Sequence, residues 1–220
     1  MLVRDYLTRH PIMISPETHA TEAQKIMLEN KLRHLPVVGD GKRLLGLITR
    51  DRLSVPPSDL ASLDVWEISR LLSNLEVKNL MLKRSELVTI AQTATLEEAA
   101  QTMLAQKVGC LPVIEDEIVI GIITENDLLT QLSNLLGGQV KGVRVTIRVP
   151  DKIGEFAKVT SAITAQGWGI YASGALPSPK RPGYWDLVVK VRNVSKEKVI
   201  AALQGIDGQE IIDIRITPCS

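Results

Sequence analysis

The chain has 220 residues, of which 45% are apolar, 23% charged and 3% aromatic, with a formal charge of +1 at pH 7. This is an ordinary globular composition with room for two or three small domains. A near-neutral charge argues against a dedicated nucleic-acid binder, which needs a basic patch, and so few aromatics leave no stacking platform for single strands.

From the N-terminus, Val3-Arg4-Asp5-Tyr6-Leu7 and the apolar run Ile12-Met13-Ile14 lead into a helix. Its apolar face carries Ala20, Ala23, Met27 and Leu28, with Thr18 or Thr21 as the expected cap. Pro36 then opens a strand through Val37-Val38, Gly39-Asp40-Gly41 turns the chain, and a second strand runs Leu44-Leu45-Gly46-Leu47-Ile48. A glycine inside a strand marks the close approach of another backbone or of a ligand. Thr49-Arg50-Asp51-Arg52 follows, Ser54-Val55-Pro56-Pro57-Ser58 breaks the chain, and Leu60 to Leu75 reads as an amphipathic connecting helix.

From Val77 the same text is written again. Val77-Lys78-Asn79-Leu80-Met81 and Val88-Thr89-Ile90 precede a helix capped by Thr95, with Leu96, Ala99, Ala100, Met103 and Leu104 on one face. Leu111-Pro112-Val113-Ile114, the turn Glu115-Asp116-Glu117 and Val119-Ile120-Gly121-Ile122-Ile123 repeat the hairpin. Cys110 sits in this apolar run as a small buried hydrophobe, and with Cys219 it makes neither a disulfide framework nor a metal cluster. A helix from Asp127 to Leu136 is stopped by Gly137-Gly138, which open a linker. One such unit of roughly fifty residues buries too little apolar surface alone, whereas two packed through their sheets share a core.

A third module starts at Val143, where Val143, Val145, Ile147 and Val149 alternate with polar residues. The turn Pro150-Asp151-Lys152-Ile153-Gly154, a helix with Phe156, Val159 and Ile163, strands at Ile170–Leu176 and Tyr184–Val191, a helix capped by Ser195 and a strand from Glu210 complete it. The order β-α-β-β-α-β is ferredoxin-like. The predicted class is thus α+β: two β-α-β-β-α units packed through their sheets, then a ferredoxin-like domain. The expected boundaries are 1–56, a connecting segment 57–76, 77–136, a linker 137–142, and 143–220.

The doubled pattern, with Leu35-Pro36-Val37-Val38 and Gly46-Leu47-Ile48-Thr49 answered by Leu111-Pro112-Val113-Ile114 and Gly121-Ile122-Ile123-Thr124-Glu125-Asn126-Asp127-Leu128, resembles a tandem pair of cystathionine-β-synthase-type (CBS) domains, a Bateman module. The strand followed by Asp151-Lys152-Ile153-Gly154 and a helix resembles an ACT domain, a small-molecule-sensing module. The whole order is similar to that of the acetoin utilization protein AcuB family, which is regulatory.

Thr124-Glu125-Asn126-Asp127 reads first as a helix start, a Thr cap with an acid three places on. A hydroxyl and a carboxylate at a helix N-terminus also suit a nucleotide: the carboxylate accepts from ribose hydroxyls and the helix end favours phosphate. The CBS resemblance implies that role for Thr124 and Asp127, with Ile122, and with Ile12, Leu32 and Arg33 completing the site from the other copy. It implies a second site at Thr49 and Asp51, lined by Val88, Val108 and Gly109. Leu32 and Val108 read equally as ordinary core. Arg52 stands where Asp127 stands, and a guanidinium has no acceptor for a hydroxyl. The two sites should therefore differ, the Thr49 site being weak, empty or tuned to phosphate by Arg50 or Arg52. His34 is placed either to contact a phosphate or to serve structurally. The ACT resemblance implies that Asp151 and Gly154 frame an effector such as an amino acid; the alternative is a strand-to-helix turn needing glycine.

The expected role is a non-catalytic sensor that binds AMP, ATP or S-adenosylmethionine, requires no cofactor or metal, forms a homodimer and regulates a partner enzyme. No nucleophile–base pair and no glycine-rich phosphate loop followed by lysine argues for an enzyme. The alternative is a dimerisation or docking module that binds no ligand. With no apolar leader and no stretch long enough to span a bilayer, no membrane contact and a cytoplasmic location are expected.

Overall fold

The structure, a computed structural model, describes residues 1–53 and 74–217. The Ser54–Ser58 break and all but the end of the expected 60–75 helix lie outside them, as does Cys219. The chain divides into two units, the first ending at Leu128 and the second beginning at Leu129.

The first unit contains both repeats. In the first come α1 (Val3–Tyr6), β1 (Thr8–Arg9), α2 (Ala20–Glu29), β2 (His34–Val38), β3 (Leu44–Thr49) and a 3-10 turn, Asp51–Leu53. In the second come a 3-10 turn Val77–Asn79, β4 (Leu82–Lys83), α3 (Leu96–Gln106), β5 (Cys110–Glu115), β6 (Ile118–Thr124) and α4 (Glu125–Leu135). The two hairpins keep one register. Pro36 faces Leu47 and Val37 faces Gly46, with a bulge before Val38; Pro112 faces Ile122 and Val113 faces Gly121, with a bulge before Ile114. Ile14 and Ile90 each make a parallel bridge to the proline-containing strand, at Val37 and Val113.

The leaders of the two repeats are exchanged. β1 pairs with β6 of the second repeat, giving a sheet β1-β6-β5, and β4 pairs with β3 of the first, giving β2-β3-β4. Val3 and Leu7 are buried with Leu96, Ala99, Met103, Leu111, Val113 and Ile123, whereas Val77 is buried with Ala23, Met27, Leu35, Val37 and Ile48. The sheets meet where Leu47, Cys110 and Ile122 pack together.

This exchange explains both strand glycines. A Cβ on Gly46 would stand 2.6 Å from the carbonyl oxygen of Leu82, and one on Gly121 would stand 2.9 Å from that of Thr8, where real side chains do not fit. The close approach expected at these glycines comes from backbone of the opposite leader. It also corrects the capping of α2, which neither Thr18 nor Thr21 performs: His19 precedes the helix without a side-chain bond, and the Ala20 N–H donates to the Leu75 carbonyl at 2.7 Å. A tertiary carbonyl supplies what the hydroxyl was expected to give. Thr95 caps α3 as expected, in a capping box with Glu98.

The β5–β6 turn is a second tie. Asp116 and Glu117 both adopt left-handed backbone, φ 49 and 65. The Glu117 carbonyl accepts from Leu44 N–H at 3.0 Å, and its carboxylate accepts two 2.9 Å bonds from Arg84.

The second unit carries β7 (Gly142–Pro150), α5 (Glu155–Thr164), β8 (Ile170–Pro177), β9 (Tyr184–Val191), α6 (Lys196–Leu203) and β10 (Glu210–Thr217). The antiparallel order β10-β7-β9-β8 is the ferredoxin-like one that the sequence predicts. Val159, Ile163, Val199 and Leu203 of the helices bury the alternate β7 residues Val143 to Val149 and Leu187, Val189 and Val191 of β9. Gly137 takes φ +71 and Gly138 N–H closes on the Ser133 carbonyl at 2.7 Å, so α4 ends where expected. The expected linker start is nevertheless held in place. Lys190, 2% exposed, donates Nζ to the Gly137 carbonyl at 2.5 Å, and its stem fills the space that any side chain at 137 would need.

Gly121→Val should lower stability by about 1–3 kcal/mol through overpacking against the exchanged leader, whereas Gly205→Val, with open space around it, should change it by less than about 0.5 kcal/mol. Urea unfolding of the two variants measures the difference; equal midpoints would refute the account of the strand glycines.

Candidate functional site

Within the first unit, the crossing of the first leader over β6 leaves a cleft of about 480 Å³ between the repeats. The first repeat supplies Thr8, His10, Pro11 and Ile12 from the leader and Asn30 to His34 from the α2–β2 connection. The second supplies Gly109, Ile122 and Thr124 to Asp127. Two left-handed residues shape the first wall: His10, φ 50, turns the leader, and Lys31, φ 54, turns the chain out of α2. Leu32 N–H then closes on the Met27 carbonyl at 2.8 Å. Lys107 holds the same conformation after α3.

The opposite wall is the start of α4. Asp127 Oδ2 accepts from the Thr124 N–H at 2.8 Å and from Thr124 Oγ1 at 2.7 Å, and Asp127 N–H donates to Thr124 Oγ1 at 3.4 Å. The capping box read from the sequence is therefore formed, and both bonds to the carboxylate fall on Oδ2. Among the described residues Oδ1 receives no hydrogen bond. The Glu125 N–H donates to the Gly109 carbonyl at 3.1 Å, which fixes the helix start against the β5 approach.

Charge is divided across the cleft, with Lys31 and Arg33 on one wall, beside His10 and His34, and Glu125 and Asp127 on the other. Burial, then the Arg33 charge, lowers the His34 pKa below its ordinary 6.5, against smaller opposing effects of Glu125 and Asp51. Cys110, the counterpart of His34, is 3% exposed, and burial followed by the Glu125 charge pushes its thiol up to about 12. It is a buried apolar group, as read from the sequence, and no nucleophile. Such a cleft suits a ligand with an anionic group at one end and hydroxyl donors at the other.

Thr124, Asp127, Ile122, Ile12, Leu32 and Arg33 thus meet around one cavity. Gly109, expected at the Thr49 site, lines this cleft instead, because its carbonyl anchors the first turn of α4. Val88 and Val108 pack onto the core of the second repeat. Thr49 is half-buried opposite His34 in the β2–β3 ladder, and Asp51 is exposed in the 3-10 turn. In the second unit Asp151 is exposed with its N–H on the Gly183 carbonyl, and Gly154, φ 91, precedes α5 without a side-chain cap. Sequence reasoning missed Thr8, His10, Pro11, Asn30, Lys31 and Glu125 as lining residues. The leader residues arrive only through the exchange, which no local pattern signals. Among the described residues, no three of His, Cys, Asp and Glu gather as metal ligands, and no helix is long and apolar enough to cross a membrane.

Doubled hairpins, exchanged leaders and a ligand-sized cleft at a Thr–Asp helix start define a CBS pair. Residues 3–54 and 77–134, half of the chain, match the family described as CBS domain, and the chain belongs to that family. The structure is similar to that of a Vibrio cholerae protein described as a candidate acetoin utilization protein (AcuB), at 32% identity and TM-score 0.52 over 63% of this chain and 95% of that one. It is also similar to CBSX2, a CBS-pair protein of Arabidopsis thaliana solved in complex with AMP, at 26% identity and TM-score 0.51 over 60% and 96% of the two chains. Among curated relatives, the uncharacterized protein MJ1225 of Methanocaldococcus jannaschii is 32% identical over 58% of this chain and 46% of its own length. The inosine-5'-monophosphate dehydrogenase of Aquifex aeolicus is 30% identical over 54% and 22%. The chain spans less than half the length of these curated relatives.

A lowered His34 pKa means that the unfolded chain takes up a proton the folded state resists. The contribution of His34 to stability is full above pH 6.5 and is lost as the pH falls through its lower folded value. The melting temperature should therefore fall more steeply below pH 6.5 in the wild type than in His34→Gln. Parallel pH profiles would contradict this. In a Cys219→Ser background, Cys110 should resist iodoacetamide at pH 8 while the protein is folded and react on unfolding; rapid labelling of the folded protein would contradict its burial.

Proposed function

We propose that the cleft binds an adenine nucleotide, AMP foremost, and that the chain is a non-catalytic sensor. The observation that carries this is the pairing, across one cavity, of a carboxylate with one uncommitted oxygen and a wall that carries Lys31 and Arg33. Asp127 Oδ1 would accept from the ribose hydroxyls while the Thr124 bonds hold Oδ2. The apolar flanks of Ile12, Leu32 and Ile122 would cover the adenine, and Arg33, Lys31 and His10 would meet the phosphate. The likeness to CBSX2, solved with AMP, supports the same ligand class. ATP and S-adenosylmethionine belong to that class, but the sulfonium of the latter gains nothing from a basic wall.

Binding would act by favouring one arrangement of a homodimer, or of a partner enzyme, over another. The dehydrogenase among the relatives supports an enzyme as the regulated partner. A cytoplasmic location goes with this reading. In the ferredoxin-like unit, a second, ACT-type effector such as an amino acid is proposed near Asp151 and Gly154. Its support is the start of α5, which lacks a side-chain cap, and the adjoining Glu155, 5% exposed, whose Oε2 is buried without a hydrogen bond.

Isothermal titration of the full chain with AMP, ATP and S-adenosylmethionine tests the nucleotide reading. AMP should bind saturably, and Asp127→Asn should weaken it about 10- to 100-fold, the worth of one hydrogen bond to a charged group. Glu98→Gln, which weakens the matching cap on α3 outside the cleft at a comparable cost of about 1 kcal/mol, should leave AMP affinity unchanged. No saturable heat with any of the three ligands would sink the proposal.

A further inference from the structure

The second unit holds five arginines, Arg144, Arg148, Arg181, Arg192 and Arg215. Four of them face a carboxylate: Arg144 and Arg215 share Asp213, at 3.3 and 2.6 Å, Arg148 meets Asp186 at 2.8 Å, and Arg181 lies 3.9 Å from Glu210. Among the described residues Arg192 has no acidic partner, and its guanidinium lies over the Tyr171 ring, 5.2 Å from the centroid. Arg181 covers Tyr184 in the same way, at 3.8 Å, but with Glu210 beside it. An aromatic face steadies a guanidinium without consuming its N–H donors, which remain available to a planar anion.

Arg192 also stands at a cavity. β9 ends at Val191, which pairs with Val143 of β7 and Ile170 of β8, and Asn193, φ 56, turns the chain toward α6. The Arg192–Asn193 turn is thus at the end of the sheet opposite the Asp151–Gly154 turn, and it lines two cavities. One, of about 480 Å³, is completed by Gly167, Trp168, Gly169, Ile170 and Tyr171. The other, of about 540 Å³, brings in Lys141. No Asp or Glu lines either. Gly167 and Gly169 leave space unfilled, since a Cβ at either would meet no atom within 4 Å.

We propose that the cavity of Trp168, Tyr171 and Arg192 binds an aromatic carboxylate that carries no ammonium group. The guanidinium of Arg192 takes the two carboxylate oxygens through its paired N–H groups, while Trp168, Ile170 and Tyr171 cover the ring. The single sign of the lining decides the class. An amino acid brings an ammonium that finds only cations here, and a nucleotide brings ribose hydroxyls that find no carboxylate such as Asp127. An aryl acid needs neither. This site depends on neither the nucleotide reading nor the effector near Asp151, and its test is separate from theirs.

The isotope-labelled full chain, titrated with phenylacetate and followed by amide chemical shifts, provides that test. Phenylacetate should move the Gly169, Tyr171, Arg192 and Asn193 signals saturably. Phenylacetamide, which keeps the ring and loses the charge, and phenylalanine, which adds an ammonium, should each bind at least about tenfold more weakly. Arg192→Gln should weaken phenylacetate about 10- to 100-fold, and Gly169→Leu, which fills the cavity, should abolish the shifts. Arg181→Gln, at the arginine that already has a carboxylate, should leave the affinity unchanged. No saturable shift at these residues, equal affinity for the amide or the amino acid, displacement by AMP, or full affinity in Arg192→Gln would each overturn the proposal. The spectra report whether each variant is folded; should one not be, the three ligands on the wild type decide.

Discussion

The structure depends on one constraint: neither repeat can complete its own sheet or core. Each hairpin has an open edge on its second strand, and that edge is paired by the leader of the other repeat. Unpaired edge groups and half-formed cores are costly in a unit this small. The exchange removes both costs together, since β1 satisfies β6 while Val3 and Leu7 fill the core beneath it. Gly46 and Gly121 are the covalent trace of this arrangement, because only a residue without Cβ lets the foreign leader close on the strand.

The cleft follows from the same crossing. The first leader turns at His10 and passes over β6 just before α4 begins, so residues far apart in sequence come to face the Thr124–Asp127 helix start. At that point structure and recognition use the same side chain without conflict. One oxygen of Asp127 finishes the helix, and the other has no partner among the described residues. A cap and a binding group are alternatives only when a side chain has a single acceptor, and a carboxylate has two.

The second unit shows a different use of a charged group. Lys190 is buried in the sheet, where an ammonium without partners would be expensive. Its bond to the Gly137 carbonyl satisfies the group and pins the chain that leaves α4. A segment whose two glycines read as a flexible connection is thereby ordered by a residue more than fifty positions later, at the far end of β9.

What the sequence determined by itself is local or repeated: the hairpins with their proline and glycine, the amphipathic helices, the Thr95, Ser195 and Thr124 caps, and the alternation that makes the ferredoxin-like sheet. These follow from periodicity and short-range hydrogen bonding, which are written within a few residues of where they act. The pairing of Thr124 with Asp127 at one helix start, and the replacement of that acid by Arg52 in the first repeat, were legible for the same reason. Only the tertiary structure decided which leader served which repeat, why α2 needs no hydroxyl cap, that Gly109 belongs to the Asp127 cleft, and that His10 and Lys31 line it. Those facts depend on the pairing of distant segments. Nothing in the composition of a two-residue edge strand such as Thr8–Arg9 says which of two nearly identical strands it will join; the shape of the assembled cores does.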